Sequence, residues 1–197
     1  MPNPLPLLTS PPPERRDAAR NREALMAAGA ALVEEVGVRG VTMDALAARA
    51  GVGKGTVFRR FGSREGLMGA LLNHSETEWQ AAVMGGPPPL GPGAPPMERL
   101  LAFGESRMHL NIRHAELIEA AGNPGTRSFA ALSFTTMHVR YLLSQLGVEG
   151  DLSYLATALV APLEIIVLRE QVDREQIPMN RVMAGWSDLV RRVTGAA

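Results

Sequence analysis

Residues 42–61 read TMDALAARAGVGKGTVFRRF, and the order of small, glycine and apolar residues in this stretch decides the fold. Thr42 stands where a helix N-cap belongs, ahead of a short helix over Met43–Ala50. Gly51 ends that helix, because glycine tolerates the left-handed backbone that a tight corner needs. A second helix follows from Lys54 to about Arg60. Ala47 is small enough for the two helices to approach closely, and Val57 is placed to bury the second helix against the first. This pattern is that of a helix-turn-helix corner. The second helix carries Lys54, Thr56, Arg59 and Arg60, and its leading end presents unpaired N–H groups that suit a phosphate.

Outward from the corner the chain reads as helix throughout. A preceding helix spans about Asp17 to Val36, with Leu25, Ala28, Leu32 and Val36 on one stripe and Gly37 as its stop. Ser63 caps a fourth helix that carries Glu65 in its first turn and extends to Met84. Residues 85–96, GGPPPLGPGAPP, cannot sustain a helix and form a loop. Helical patterning resumes at Met97 and runs to about Ala121, with a break near Asn111. Residues 122–125 form a turn, and further helices fit Thr126–Leu146, Asp151–Val172 and Asn180–Val193. Pro162 lies inside the second of these, which must kink or divide there. No alternation typical of strands occurs. The fold class is therefore all-α, a three-helix head on a larger helical bundle.

Composition narrows the function. The 197 residues are 46% apolar, which permits a sizeable core, and the chain has no cysteine. Disulfides and thiolate metal sites are thereby excluded, and a reducing cytoplasm is the expected setting. No uncharged apolar run reaches the roughly 18 residues of a membrane span, so no membrane association is expected. Residues 1–13 are proline-rich and carry no basic residue, unlike a secretory signal; residues 1–14 are expected to be a solvated arm. Charge is zero overall, yet residues 1–70 hold ten Arg/Lys against seven Asp/Glu, and residues 71–197 ten against thirteen. The N-terminal part is the one that suits a polyanion.

The stretch from Arg22 to Leu71 resembles the DNA-binding head of TetR/AcrR-type bacterial regulators. The likeness rests on EALMAAGAALVEEVGVRGVTMDALAARAGV, on GKGTVFRRF in the second helix of the corner, and on FGSREGL opening the fourth helix. It implies a head over 15–62, a connecting helix over 63–84, the loop over 85–96 and an effector-binding and dimerisation domain over 97–197. It also implies DNA contacts: Thr42 to phosphate at the start of its helix, and Lys54, Gly55 and Thr56 in the major groove, where Gly55 permits close approach. Phe58, Arg59 and Arg60 would face base edges or backbone, and Arg64 a flanking phosphate. Three positions depart from the usual pattern. Gly53 replaces a common capping Ser, Phe58 a Tyr whose hydroxyl reaches phosphate, and Arg60 a His. The first two each remove a hydrogen bond; the third adds a charge.

Other residues were weighed for chemistry. Gly51–Thr56 superficially suggests a phosphate-binding loop, but Ala48 occupies the place of its first glycine and no strand precedes it. His74, His109, His114 and His138 lack a third ligand at metal spacing, even with Glu105 one turn from His109, so no metal or cofactor is expected. Phe103, Met108, Phe129, Phe134, Met137 and Tyr141 fall at helical spacing and are core by default. Arg107, Asn111 and His138 must find partners if they point inward, and a ligand is one candidate. The expected effector site is Phe103, Arg107, Asn111, Phe134, Met137, His138 and Tyr141. By the resemblance, Trp186, Leu189, Val190 and Val193 with Leu159, Leu163, Ile166 and Val167 would contribute to a four-helix dimer interface. Arg15, Arg16 and Arg20 are candidate arm contacts to DNA.

Together these imply a ligand-responsive repressor, not an enzyme, that binds double-stranded operator DNA as a homodimer. Two recognition helices would enter successive major grooves about 34–36 Å apart, and a small-molecule effector would change their spacing by moving the fourth helix. Two rival readings stay open. One is a helical adaptor of the same fold without DNA binding; the other is a nucleotide-binding enzyme.

Overall fold

The computed structural model describes the backbone of residues 13–122 and 124–195, and the side chains of residues 21–122 and 133–195. Phe129 and the candidate arm residues Arg15, Arg16 and Arg20 lie outside the described side chains. Ten α-helices follow one another among the described residues, and no strand occurs there. They are α1 (Pro13–Gly40), α2 (Met43–Ala50), α3 (Lys54–Phe61), α4 (Arg64–Gly85), α5 (Pro96–Arg113), α6 (Ala115–Ala120), α7 (Pro124–Gln145), α8 (Leu152–Val160), α9 (Ile165–Arg169) and α10 (Met179–Thr194). The chain divides into two compact units between Leu71 and Leu72, within α4.

In the head, Leu25, Met26 and Leu32 of α1 are buried, together with Leu46 of α2, Val57 of α3, and Leu67, Met68 and Leu71 of α4. The expected α1 stripe holds up to Leu32 and then fails, since Val36 is 52% exposed. The cause is Gly37, whose positive φ of 70° turns the chain before one further helical turn. That reversal sends Val38 and Val41 into the core in place of Val36. Gly29 packs against Leu71, since a Cβ there would stand 2.9 Å from a Leu71 methyl.

The second unit is built on one apolar core drawn from α4, α5, α7, α8, α9 and α10, including Val83, Phe103, Leu142, Leu159, Leu168 and Val190. Asp151 caps α8, its Oδ1 accepting from the Ser153 and Tyr154 amides at 3.0 Å each. Pro162 divides the helix that the sequence placed over 151–172. A 3-10 turn spans Ala161–Leu163, Glu164 is extended, and α9 starts afresh before a π-helical turn at Glu170–Arg174. The break frees the Leu163 carbonyl, and the buried Asn111 side chain donates to it at 2.7 Å. No single described helix is long and apolar enough to cross a membrane.

Candidate nucleic-acid interface

The corner is assembled as its sequence requires. Thr42 accepts a hydrogen bond from the Ala45 amide at 3.1 Å and so caps α2. Gly51 adopts φ 65°, ψ 29°, and the following Val52 amide bonds back to Ala47 at 3.0 Å. Ala47 and Val57 are both buried, which closes α2 on α3. With Val57 directed inward, Lys54, Gly55, Thr56, Phe58, Arg59 and Arg60 are all exposed, while Phe61 is half-buried. Phe58 is 48% exposed, so its ring is open to solvent.

The α3 cap is Gly53, and no side chain satisfies the first amides of that helix. Those N–H groups therefore remain available to an anion. A Cβ built on Gly55 would meet open space, so packing inside the protein gives no reason for glycine there. Lys54 forms an ion pair with Asp44 at 2.5 Å, with both side chains largely solvated. Such an exposed pair is weak and readily exchanged.

Arg64 plays a part that its sequence position alone does not reveal. Its guanidinium donates to the Val41 carbonyl at 3.0 Å and to the Val38 carbonyl, tying the start of α4 to the turn between α1 and α2. Arg49 is likewise engaged, with two hydrogen bonds to Glu35. That bond and the charge of Arg49 hold the Glu35 carboxyl below its usual range. At the start of α4, Ser63 accepts from the Gly66 amide at 3.1 Å. The Glu65 carboxyl is held low by a bond from its own backbone amide and by the Ser63 hydroxyl.

The candidate effector residues lie on α5 and α7. Phe103 is fully buried and stacks on His138, with centroids 5.0 Å apart. Phe134 and Tyr141 flank the same imidazole at 6.0 and 6.2 Å. His138 is 6% exposed, its Nε2 has no hydrogen-bond partner among the described residues, and burial, with the nearby Arg99 charge, lowers its pKa to about 4. Arg107 is 3% exposed and pairs with Glu76 at 2.7 Å, its guanidinium carbon 4.9 Å from the centre of the Trp79 ring. Arg107 and Asn111 thus have internal partners, whereas Met137 and Tyr141 are exposed. Sequence reasoning passed over Glu76 and Trp79. Their signal was a carboxylate and an indole three residues apart on α4, but their partners lie on α5, far along the chain.

Residues 25–71 match the family described as bacterial regulatory proteins, tetR family. Over these residues the head is similar to that family. No curated protein matches the chain. Solved structures extend the likeness beyond the head, to 88–96% of the chain. The multidrug binding protein EbrR complexed with imidazole is 23% identical, with a TM-score of 0.56 over 96% of this chain and 97% of that one. A TetR-like transcriptional regulator from Rhodococcus sp. RHA1 is 21% identical, with a TM-score of 0.51 over 90% and 97%. SmeT in its triclosan complex is 18% identical, with a TM-score of 0.55 over 88% and 90%. At these identities the likeness shows the fold: an N-terminal tetR-type helix-turn-helix followed by an all-helical second unit.

Proposed function

We propose that this chain is a cytoplasmic transcriptional repressor that binds a near-palindromic operator as a homodimer and is released by a small molecule held in its second unit. The observation that carries the reading is α3. Val57 is its one fully buried residue, while its polar and charged residues face solvent beside a helix N-terminus that has no side-chain cap. Lys54, Gly55 and Thr56 enter the major groove; Thr42 and Arg60 hold phosphates; Phe58 and Arg59 meet base edges or sugar. Arg64 supports this surface from behind, and a phosphate contact would come from the part of its fork not used by Val38 and Val41.

The effector would lodge against Phe103, Phe134, His138 and Tyr141, whose rings lie together, with Met137, Arg107 and Asn111 as further candidate contacts. EbrR and SmeT, which share the fold, are described in complex with imidazole and triclosan respectively. By linkage, effector and operator weaken one another by the same factor. Dimerisation would use α8 to α10, where Tyr154 and Ile166 are exposed. Nothing in the scheme calls for catalysis.

The test is selection from a random duplex pool. The wild-type protein should enrich palindromes whose half-sites lie about 10 base pairs apart or a multiple of that. A Lys54→Ala, Arg59→Ala, Arg60→Ala variant should enrich nothing. Enrichment of the same sites by that variant would refute the assignment.

A further inference from the structure

Beside the recognition helix lies a hollow of about 290 Å3, lined by Asn21, Arg22 and Leu25 of α1 and by Thr56, Arg59 and Arg60 of α3. Five of these six residues are exposed, and Leu25 is its buried apolar floor. Three guanidinium groups border it. Arg49 and Arg64 of the same unit are bound to Glu35 and to backbone carbonyls. Arg22, Arg59 and Arg60, in contrast, have no ion pair or hydrogen-bond acceptor among the described residues. Among the described residues, no carboxylate lines the hollow. Asn21 and Thr56 add an amide and a hydroxyl, both hydrogen-bond donors, to the same lining. The described rim of charged forks and neutral donors matches a tetrahedral oxyanion.

We propose that this hollow seats one backbone phosphate of the bound duplex, with Arg22, assisted by Asn21, as a positioning residue supplied by α1. The inference rests on the DNA-binding reading above and adds an element outside the two-helix corner. Since a phosphate carries no sequence information, Arg22 strengthens binding to every duplex alike and sets the angle of α3 in the groove. Its distance along the chain from α3 explains why the corner motif does not announce it.

The experiment compares Arg22→Ala, Arg22→Lys and Arg60→Ala with the wild type on two duplexes of about 30 base pairs, one of mixed sequence and one selected by the wild-type protein, over a salt titration. Arg22→Ala should weaken both duplexes by about three- to tenfold and reduce the slope of log K against log salt by about one. Arg22→Lys should keep most of the slope. Thermal melts check that each variant is folded; should the alanine variant not fold, Arg22→Gln replaces it. If Arg22→Ala binds like the wild type while Arg60→Ala is weakened, the phosphate seat is wrong and the DNA reading stands. If Arg22→Ala and Arg60→Ala both bind like the wild type, the DNA reading fails and the seat fails with it. A loss confined to the selected duplex would mean that Arg22 reads bases, which also overturns the seat. Inorganic phosphate at constant ionic strength should show no saturable binding; saturable binding abolished in Arg22→Ala, with duplex affinity unchanged, would assign the hollow to a free anion instead.

Discussion

Arg107 and Glu76 form an ion pair at 2.7 Å with only 4% and 8% of their side chains exposed, and it joins α5 to α4. A buried pair of this kind gains little over an apolar substitute, but removing one partner strands a charge. Glu76→Gln should therefore destabilise the fold by about 3–5 kcal/mol, a fall of roughly 10 °C in Tm for a chain of this size. The double variant Glu76→Leu, Arg107→Met should recover most of that loss. Calorimetric melts of the wild type and the two variants decide it; a double variant less stable than Glu76→Gln would contradict the pairing.

Gly104 faces Trp186 so closely that a Cβ there would lie 2.1 Å from the indole ring. The ring is fixed in turn by its Nε1, which donates to the Leu159 carbonyl at 2.8 Å. Gly104→Ala should cost at least about 1–3 kcal/mol through overpacking, despite alanine being the better helix former. Denaturant unfolding measures it, and a stability equal to or above the wild type would show that Trp186 can move aside.

Gly55 behaves oppositely. Open space surrounds its missing side chain, so Gly55→Ala should leave Tm unchanged or slightly raised. Duplex affinity should fall by about tenfold or more, if close approach to the groove is the reason for glycine. Unchanged affinity by fluorescence anisotropy would remove Gly55 from the interface.

His138 gives a pH dependence whose sign is fixed by its burial. Its folded pKa, about 4, lies below the ordinary 6.5, so the unfolded chain takes up the proton first. The stability associated with neutral His138 is complete above pH 6.5 and is lost as pH falls from 6.5 towards 4. His138→Phe, which keeps a ring against Phe103, should flatten this segment of the stability–pH curve. An identical slope between pH 6.5 and 4 in both proteins would contradict a buried neutral imidazole.

Much of the head was legible because its determinants are local. Thr42, Gly51 and Ser63 act within three or four residues of themselves, and the caps and corner follow from those residue types. Val36 was misplaced because Gly37 does not simply stop the helix; it reverses the chain, and the next turn redirects Val38. Pro162 announced a break, but whether the helix kinks or divides depended on Asn111, fifty-two residues earlier, meeting the freed Leu163 carbonyl. The Glu76–Arg107 pair, the Arg64 brace and the hollow at Arg22 are likewise contacts between distant segments. Periodicity within one helix carries no information about them.

The central claim is that α3 binds duplex DNA through its exposed basic face. Its most direct test is the salt dependence of duplex binding by the Lys54→Ala, Arg59→Ala, Arg60→Ala variant. The account predicts much weaker binding and a slope of log K against log salt shallower by about two to three. Wild-type affinity with an unchanged slope in a correctly folded variant would contradict it.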